Sequence, residues 1–355
     1  MKVFIVAGGT GGHVFPALAV AKEFEKEEAE IFWIGREGSL EHDICKKEGY
    51  RFYIIKAKAF RGQNLFQKLI AIFYLCSSFI ISLKLIKNIK PKFIFSSGNF
   101  ISLAPGLSAF VLDIPLFIHE QNTIPGTSNK ILSRFSKIVF EGFSGSFQIK
   151  GVKFVGNPVR ENIIRYSGST TTTKNKDKKI NLLILGGSQG SIQLNEIVIE
   201  ALRLIKDKTM WRILHQSGKE DINRLNTDYQ SLDFEYSVQA FINNMGEAYR
   251  EADLVIARAG AMTIAELLVM EKPSILLPLP WSTDKHQFYN AQYLKRLGAA
   301  QVIQSKKASI SYLASLLIEL TTDRKRLKDM SRSAKKYSLP NSSREIVKLI
   351  NEYFK

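Results

Sequence analysis

Two stretches of this chain begin in the same way. Val3-Phe4-Ile5-Val6-Ala7-Gly8-Gly9-Thr10-Gly11-Gly12 and Leu182-Leu183-Ile184-Leu185-Gly186-Gly187-Ser188-Gln189-Gly190 are each an apolar run, a glycine-rich turn and a helix start, about half the chain apart. A short apolar run that ends in glycines and turns straight into a helix is the opening of a βαβ unit, since parallel strands need a crossover and glycine permits the sharp turn. Two such openings, each followed by further alternation of apolar runs and helical periods, predict an α/β protein with two Rossmann-like domains.

Strands are expected at Val3–Val6, Glu30–Ile34, Phe93–Ser96, Pro115–His119 and Ile138–Phe140. After the midpoint they are expected at Lys179–Leu185, Trp211–Ser217, Phe234–Val238, Leu254–Ala257 and Ser274–Pro278. Helices are expected at Pro16–Lys26, Ser191–Ile205, Met262–Met270 and Phe288–Leu297. The 355 residues suffice for roughly two domains. The boundary is placed near Arg160, ahead of the low-complexity stretch Ser167–Lys179, giving domains 1–160 and 161–340. Pro340 separates a last helix, 341–355, with Ser342 and Glu345 as a capping box and an apolar face of Ile346, Val347, Leu349, Ile350, Tyr353 and Phe354. That helix is expected to return to the first domain.

With 45% apolar and 23% charged residues, the chain is neither disordered by composition nor a polytopic membrane protein. Two cysteines, Cys45 and Cys76, make no disulfide framework and no structural zinc site. The chain opens directly into Val3–Val6, so no signal peptide is expected and a cytosolic-side protein is. The net charge is +17, and between Lys46 and Lys92 eleven basic residues face the single acid Glu48. A second cluster, Lys306–Lys336, has nine basic residues against three acidic. Such fields attract nucleic acid, anionic lipid or phosphorylated ligands, and charge alone does not choose among them.

The motifs narrow the choice. Gly8–Gly12 lets a ligand approach the backbone at a helix N-terminus, but Gly9-Thr10-Gly11 lacks the third glycine of the dinucleotide fingerprint. His13 follows, where ligands of open α/β sheets bind; it serves either chemistry or a loop hydrogen bond. Gly186–Gly190 reads as a phosphate cradle without the Lys-Ser/Thr ending of a nucleotide-hydrolysing loop. After Leu254–Ala257, the small residues from Arg258 to Ala261 present helix amides to a diphosphate. Glu266 is either a ribose ligand or a favourable charge near a helix N-terminus. His119-Glu120-Gln121-Asn122 and Asp284-Lys285-His286-Gln287 offer the directed donors and acceptors that sugar hydroxyls need, with His119 read as structural. No Asp-x-Asp is present to bind a metal–diphosphate.

Leu69–Leu83 is fifteen residues without a charge, short of the roughly 20 that span a bilayer. It is in part a buried helix. It also reads as an interfacial patch in which Leu69, Ile72, Phe73 and Phe79 are ringed by Lys68, Lys84, Lys87 and Lys90.

Taken in order, Gly8–His13 with Phe15-Pro16-Ala17, His119–Asn122, Gly156-Asn157-Pro158-Val159-Arg160, Gly186–Gly190, Arg258–Glu266 and Asp284–Asn290 resemble glycosyltransferase family 28 along essentially the whole chain. In particular they resemble the bacterial enzymes that add N-acetylglucosamine to undecaprenyl-pyrophosphoryl-muramyl pentapeptide. The resemblance implies a GT-B fold, with two Rossmann-like domains whose parallel sheets face each other across a cleft. It implies inverting, metal-independent transfer from UDP-N-acetylglucosamine to the 4-hydroxyl of the muramyl sugar of lipid I, giving lipid II, with no cofactor. It places the acceptor and the membrane on the first domain and the UDP-sugar on the second. Donor contacts carried over are Thr10, Gly11, Gly12, Asn122, Arg160, Ser188, Ile242, Ala261, Met262, Thr263, Ile264, Ala265, Glu266 and Gln287. In that scheme Ile242 reads uracil through its backbone, Glu266 holds the ribose, Gln287 and Asn122 reach the sugar, and His13 is the general base. Helix N-termini with Arg160 or Arg258 stabilise the departing diphosphate. The partners implied are the donor, the lipid acceptor, the anionic cytoplasmic face of the inner membrane and other cell-wall synthesis proteins, and no nucleic acid.

The chain departs from the family where a Gly-Gly-Tyr loop reads Gly98-Asn99-Phe100, and where Ala104, Ala259 and Ala265 replace a common proline and serines. A glycosyltransferase with another lipid acceptor shares every donor motif. A nicotinamide oxidoreductase or a basic nucleic-acid-binding protein would reveal itself by NADPH preference or by steeply salt-dependent nucleic-acid binding.

Overall fold

The computed structural model describes residues 1–58, 64–168, 179–187, 189–304 and 309–355. Ser188, most of Ser167–Lys179 and part of each basic cluster lie outside the described residues. The chain divides into two compact units, Met1–Arg160 with Asn341–Lys355, and Glu161–Pro340.

Unit 1 runs β1 (Lys2–Val6), α1 (Gly11–Glu25), β2 (Glu30–Gly35), α2 (Leu40–Glu48), β3 (Arg51–Ile54), α3 (Leu65–Ile89), β4 (Phe93–Ser96), α4 (Leu103–Val111), β5 (Leu116–Glu120), α5 (Thr127–Leu132), β6 (Ile138–Glu141) and β7 (Val152–Phe154). Unit 2 runs α6 (Glu161–Ile164), β8 (Ile180–Leu185), α7 (Ile192–Arg203), β9 (Trp211–Gln216), α8 (Ile222–Gln230), β10 (Glu235–Gln239), α9 (Met245–Glu251), β11 (Leu254–Ala257), α10 (Ala261–Val269), β12 (Ser274–Leu276), α11 (His286–Arg296), β13 (Ala300–Val302), α12 (Ser309–Thr322) and α13 (Arg324–Lys336). The chain then returns to unit 1 as α14 (Ser342–Tyr353).

Among the described residues the sheet orders are β3-β2-β1-β4-β5-β6-β7 and β10-β9-β8-β11-β12-β13, and every pairing is parallel. In each sheet the strand order reverses beside the first strand, between β1 and β4 and between β8 and β11. Loops leaving the carboxyl ends of those two strands splay to opposite faces, which leaves a crevice where ligands bind.

Alternate side chains of a strand point to opposite faces, so a sheet covered on both sides has near-continuous apolar strands. Unit 1 shows this directly. Val3 and Ile5 join Val14, Val20 and Phe24 of α1 and Ile346, Val347 and Ile350 of α14, whereas Phe4 and Val6 join Ile34, Ile86 and Ile118 on the other face. In unit 2, Leu182 and Ile184 pack with Leu194 and Val198 of α7 and Leu313 and Leu317 of α12.

Several sequence expectations need correction. β3, β7 and β13 depart from the expected strands; all are short sheet edges, with exposed positions such as Arg51 and Lys153 blurring the apolar pattern of β3 and β7 and only three residues in β13. α1 starts at Gly11, so Pro16 lies inside the helix and His13 in its first turn. The missing N–H of Pro16 leaves only the Gly12 carbonyl without its helical donor. The apolar segment extends well beyond Leu69–Leu83, to a 25-residue helix opened by a capping box in which Asn64 and Gln67 bond each other's backbone amides. At α14 the capping position is Asn341, which makes no side-chain cap, so Ser342 and Glu345 do not form the expected box.

Candidate active site

In unit 1 the loops after β1 and β4 meet at the reversal point. His13 and Ser97 hold each other twice there: Nδ1 of His13 lies 2.9 Å from the Ser97 carbonyl, and Ser97 Oγ donates to the His13 carbonyl at 2.8 Å. A carbonyl only accepts, so Nδ1 carries a proton, and the tautomer this bond selects has its lone pair on Nε2. His13 is half-buried, and Ser97 is buried. Thr10, exposed, precedes α1 without capping it through its hydroxyl, and Gly11 and Gly12 supply the first amides of the helix. A Cβ on Gly11 would lie 2.6 Å from the Phe15 ring. Over that same ring stands the Arg160 guanidinium, 4.6 Å from its centroid, which brings Arg160 beside the start of α1.

The string after β5 is a buried hydrogen-bond cluster. His119 is fully buried, with Nε2 3.0 Å from the Gly156 carbonyl and Nδ1 3.0 Å from Nε2 of Gln121. Nε2–H therefore donates to the carbonyl and Nδ1 accepts from the amide, so the ring is neutral; burial pulls its pKa down to about 4. The carboxylate of Glu120 accepts from the Asn122 and Gly126 amides and from the side chains of Asn122 and Asn129. Asn122 is thus oriented by Glu120, whose buried carboxylate is engaged within the loop and not, as the sequence reading expected, offered to sugar hydroxyls.

Unit 2 repeats the arrangement. Gly190 and Gly218 pack backbone on backbone: a Cβ on Gly190 would lie 2.4 Å from the Ser217 carbonyl, and one on Gly218 2.6 Å from that of Gln189. Gln216 bridges the loops, donating to the Gly187 carbonyl at 2.8 Å and accepting from the Ile242 amide at 2.9 Å. With its N–H engaged, Ile242 offers its carbonyl, an acceptor suited to the N3–H of a uracil. Gln216 was missed because a glutamine at a strand end has no local signature.

Arg258 requires a correction. Its guanidinium is buried and donates to Ser191 Oγ, Gln193 Oε1 and the Leu277 carbonyl, tying the start of α7 to β11 across the reversal point. Burial lowers its pKa to about 10. It braces the crevice and is not presented to a diphosphate. In the run Ala261–Glu266, the side chains of Ala261, Met262, Ile264 and Ala265 are buried in the domain and Thr263 is half-buried, so the run offers chiefly the first amides of α10. Glu266, one turn deeper, is also buried and accepts from the Tyr249 hydroxyl at 3.1 Å. Gln287 accepts from the Leu279 amide at 2.9 Å, which turns its NH₂ the other way. Among the described residues no three His, Cys, Asp or Glu side chains group to hold a metal ion.

Two parallel α/β units, each with a glycine turn and a second loop at its strand-order reversal, have the architecture of the GT-B class, to which glycosyltransferases belong. The comparisons sharpen this. The family 28 N-terminal domain matches residues 3–141 and the family 28 C-terminal domain residues 181–348. The chain is 38% identical over 346 residues to a protein of Vesicomyosocius okutanii subsp. Calyptogena okutanii (strain HA), covering 98% of this chain and 96% of that one. It is 33% identical over 354 residues to one of Coxiella burnetii (strain RSA 493 / Nine Mile phase I), covering 99% of both. Both relatives bear the name UDP-N-acetylglucosamine–N-acetylmuramyl-(pentapeptide) pyrophosphoryl-undecaprenol N-acetylglucosamine transferase. The crystal structure of Acinetobacter baumannii MurG superimposes with a TM-score of 0.85 at 32% identity, covering 99% of each chain. The chain belongs to glycosyltransferase family 28.

Proposed function

We propose that the chain transfers N-acetylglucosamine from UDP-N-acetylglucosamine to the 4-hydroxyl of the muramyl sugar of undecaprenyl-pyrophosphoryl-muramyl pentapeptide, with inversion. The observation that carries the mechanism is the His13–Ser97 pair, which engages Nδ1–H and so selects the tautomer whose acceptor nitrogen is Nε2. Nε2 takes the proton of the 4-hydroxyl as its oxygen forms the new bond to the anomeric carbon. The bond from that carbon to the diphosphate oxygen breaks on the opposite face, and UDP leaves with the electron pair. His13 then returns its proton to solvent. Helix-start amides near Gly190 and Gly260 stabilise the diphosphate as charge builds on it, in place of a metal. The carbonyl of Ile242 accepts from uracil, Glu266 accepts from ribose hydroxyls, and Gln287 and Asn122 contact the sugar. Ser188 joins the diphosphate contacts. Unit 2 is accordingly the donor domain and unit 1 the acceptor domain, with Arg160 beside α1 as its cation.

Unit 1 also carries the membrane contact. α3 is long and apolar enough to cross a bilayer by length and composition. Yet Ala71, Ser78, Ser82 and Ile86 form a buried stripe, Ser78 Oγ donates to the Lys56 carbonyl, and Ser108 of α4 donates to the Phe79 carbonyl. A helix docked by one stripe lies on the bilayer and does not traverse it. Leu65, Phe66, Leu69, Ile72 and Phe73 are exposed at its first turns, and Lys84, Lys87 and Lys90 toward its end; Phe79 and Lys68 are half-buried and contribute less. The apolar turns enter the interface while the lysines meet anionic headgroups on the cytoplasmic face.

The test is UDP release from UDP-N-acetylglucosamine with and without the undecaprenyl-linked acceptor. Release that depends on the acceptor supports the assignment; equal release, or none, rejects it.

A further inference from the structure

Asn99 has φ 76° and ψ 164°, a backbone conformation that is essentially reserved for glycine. Its side chain spans two loops. Nδ2 donates to the Gly8 carbonyl at 2.7 Å, and Oδ1 accepts from the Phe100 amide. The other polar atom of the Gly8–Gly9 peptide is held as well: the Gly9 N–H donates to Glu41 Oε2 at 3.3 Å. Glu41 is fully buried, and its Oε1 accepts from the Arg36 amide at 3.2 Å. The Arg36 guanidinium lies over the Phe100 ring at 5.3 Å, closing the circle back to the residue after Asn99. One peptide plane is therefore gripped at its oxygen from the β4–α4 loop and at its hydrogen from α2.

This grip accounts for the two glycines without a ligand. A Cβ on Gly8 would lie 2.7 Å from Glu41 Oε1, and one on Gly9 would lie 2.1 Å from Asn99 Nδ2. The loop that carries Asn99 also carries Ser97, so it touches the glycine turn on both sides of Thr10–Gly12: Asn99 upstream at Gly8, Ser97 downstream at His13.

We propose that Asn99 is a positioning residue which, with Glu41, fixes the Gly8–Gly9 peptide and so sets the path of Thr10–Gly12 into the helix turn that carries His13. A side chain is kept at a glycine-only position because the side chain supplies the clamp. The role for catalysis rests on the assignment of His13 as base.

Asn99→Gly and Asn99→Asp test it. The glycine variant removes the unfavourable φ together with the clamp; the aspartate keeps an acceptor for Phe100 but loses the donor to Gly8. For Asn99→Gly the thermal midpoint should be no lower than the parent's, while the Gly9 amide exchanges with solvent at least about tenfold faster. The kcat should fall on the order of 10- to 100-fold, with the donor KM within about twofold. Asn99→Asp should show the same loss of kcat. Parental kcat or unchanged Gly9 exchange in Asn99→Gly overturns the proposal, and so does a lower midpoint with kcat and KM failing together. If the parent protein shows no acceptor-dependent release of UDP while Gly9 exchange still responds, the clamp stands and the assignment of His13 falls.

Discussion

His13 and Ser97 are 84 residues apart in the chain and joined by two hydrogen bonds in opposite directions, ring to carbonyl at 2.9 Å and hydroxyl to carbonyl at 2.8 Å. Neither bond uses Nε2. The pair sets the tautomer and the ring plane together, so a catalytic role for His13 needs no third residue to orient it.

Replacing His13 by alanine should lower turnover by a factor on the order of 10² to 10⁴. On the proposed assignment of UDP to unit 2, UDP affinity should stay within about twofold. Steady-state rates with calorimetric UDP titration check this, and retained turnover removes His13 as base.

Tyr249 and Glu266 give a graded pair. Glu266→Ala should raise the donor KM on the order of tenfold or more, since a hydrogen bond to a charged group contributes about 1.5–3 kcal/mol. Tyr249→Phe, which only releases the carboxylate from its hydroxyl partner, should raise it about threefold. An unchanged KM in Glu266→Ala would reduce that residue to a helix charge.

How far these residues were legible from sequence depends on where their partners lie. The glycine turns and β1, β4, β8 and β11 stand out because a buried parallel strand is apolar throughout and glycine punctuates it. His13 and Glu266 stand where a ligand could reach them after those turns, but their roles, and that of Gln287, come from the resemblance to family 28. Their partners could not be named: Ser97 acts from 84 residues away, Tyr249 from a neighbouring helix, and the Leu279 amide is a backbone group that leaves no residue signature. Arg258 misled for the converse reason. A cation after a strand end looks available to an anion, and only the fold shows it occupied by Ser191, Gln193 and Leu277.

Lipid binding should follow charge. Vesicles containing anionic lipid should recruit the protein, and replacing Lys84, Lys87 and Lys90 by glutamine should weaken recruitment by up to about 1 kcal/mol per lysine. Phe73→Ser should weaken it at high salt as well, because the apolar part is not screened. Co-sedimentation measures both, and indifference to lipid charge would sink the patch.

Stability should decline in mild acid through two buried imidazoles. Burial lowers the pKa of His119 to about 4 and that of His215 to about 3, from 6.5 in the open chain. The unfolded chain binds these protons first, so the stabilising contribution is complete above pH 6.5. Each histidine loses ~1.4 kcal/mol per pH unit below that, until its folded value is reached. Denaturant unfolding between pH 7 and 4.5 should show this slope, and His119→Gln should flatten it by one proton. An unaltered slope would mean His119 already carries its proton in the fold.

The return of α14 to unit 1 has a consequence for how the protein is made. Ile346, Val347 and Ile350 share one core with Val3, Ile5 and Phe93, so the first unit cannot close its sheet face until α14 has been made. Glu161–Pro340, by contrast, is continuous, and its last residue is joined to the chain before α14 is begun. The half written second in the chain is the first whose sequence is complete, and the half written first waits, one apolar face uncovered, for α14.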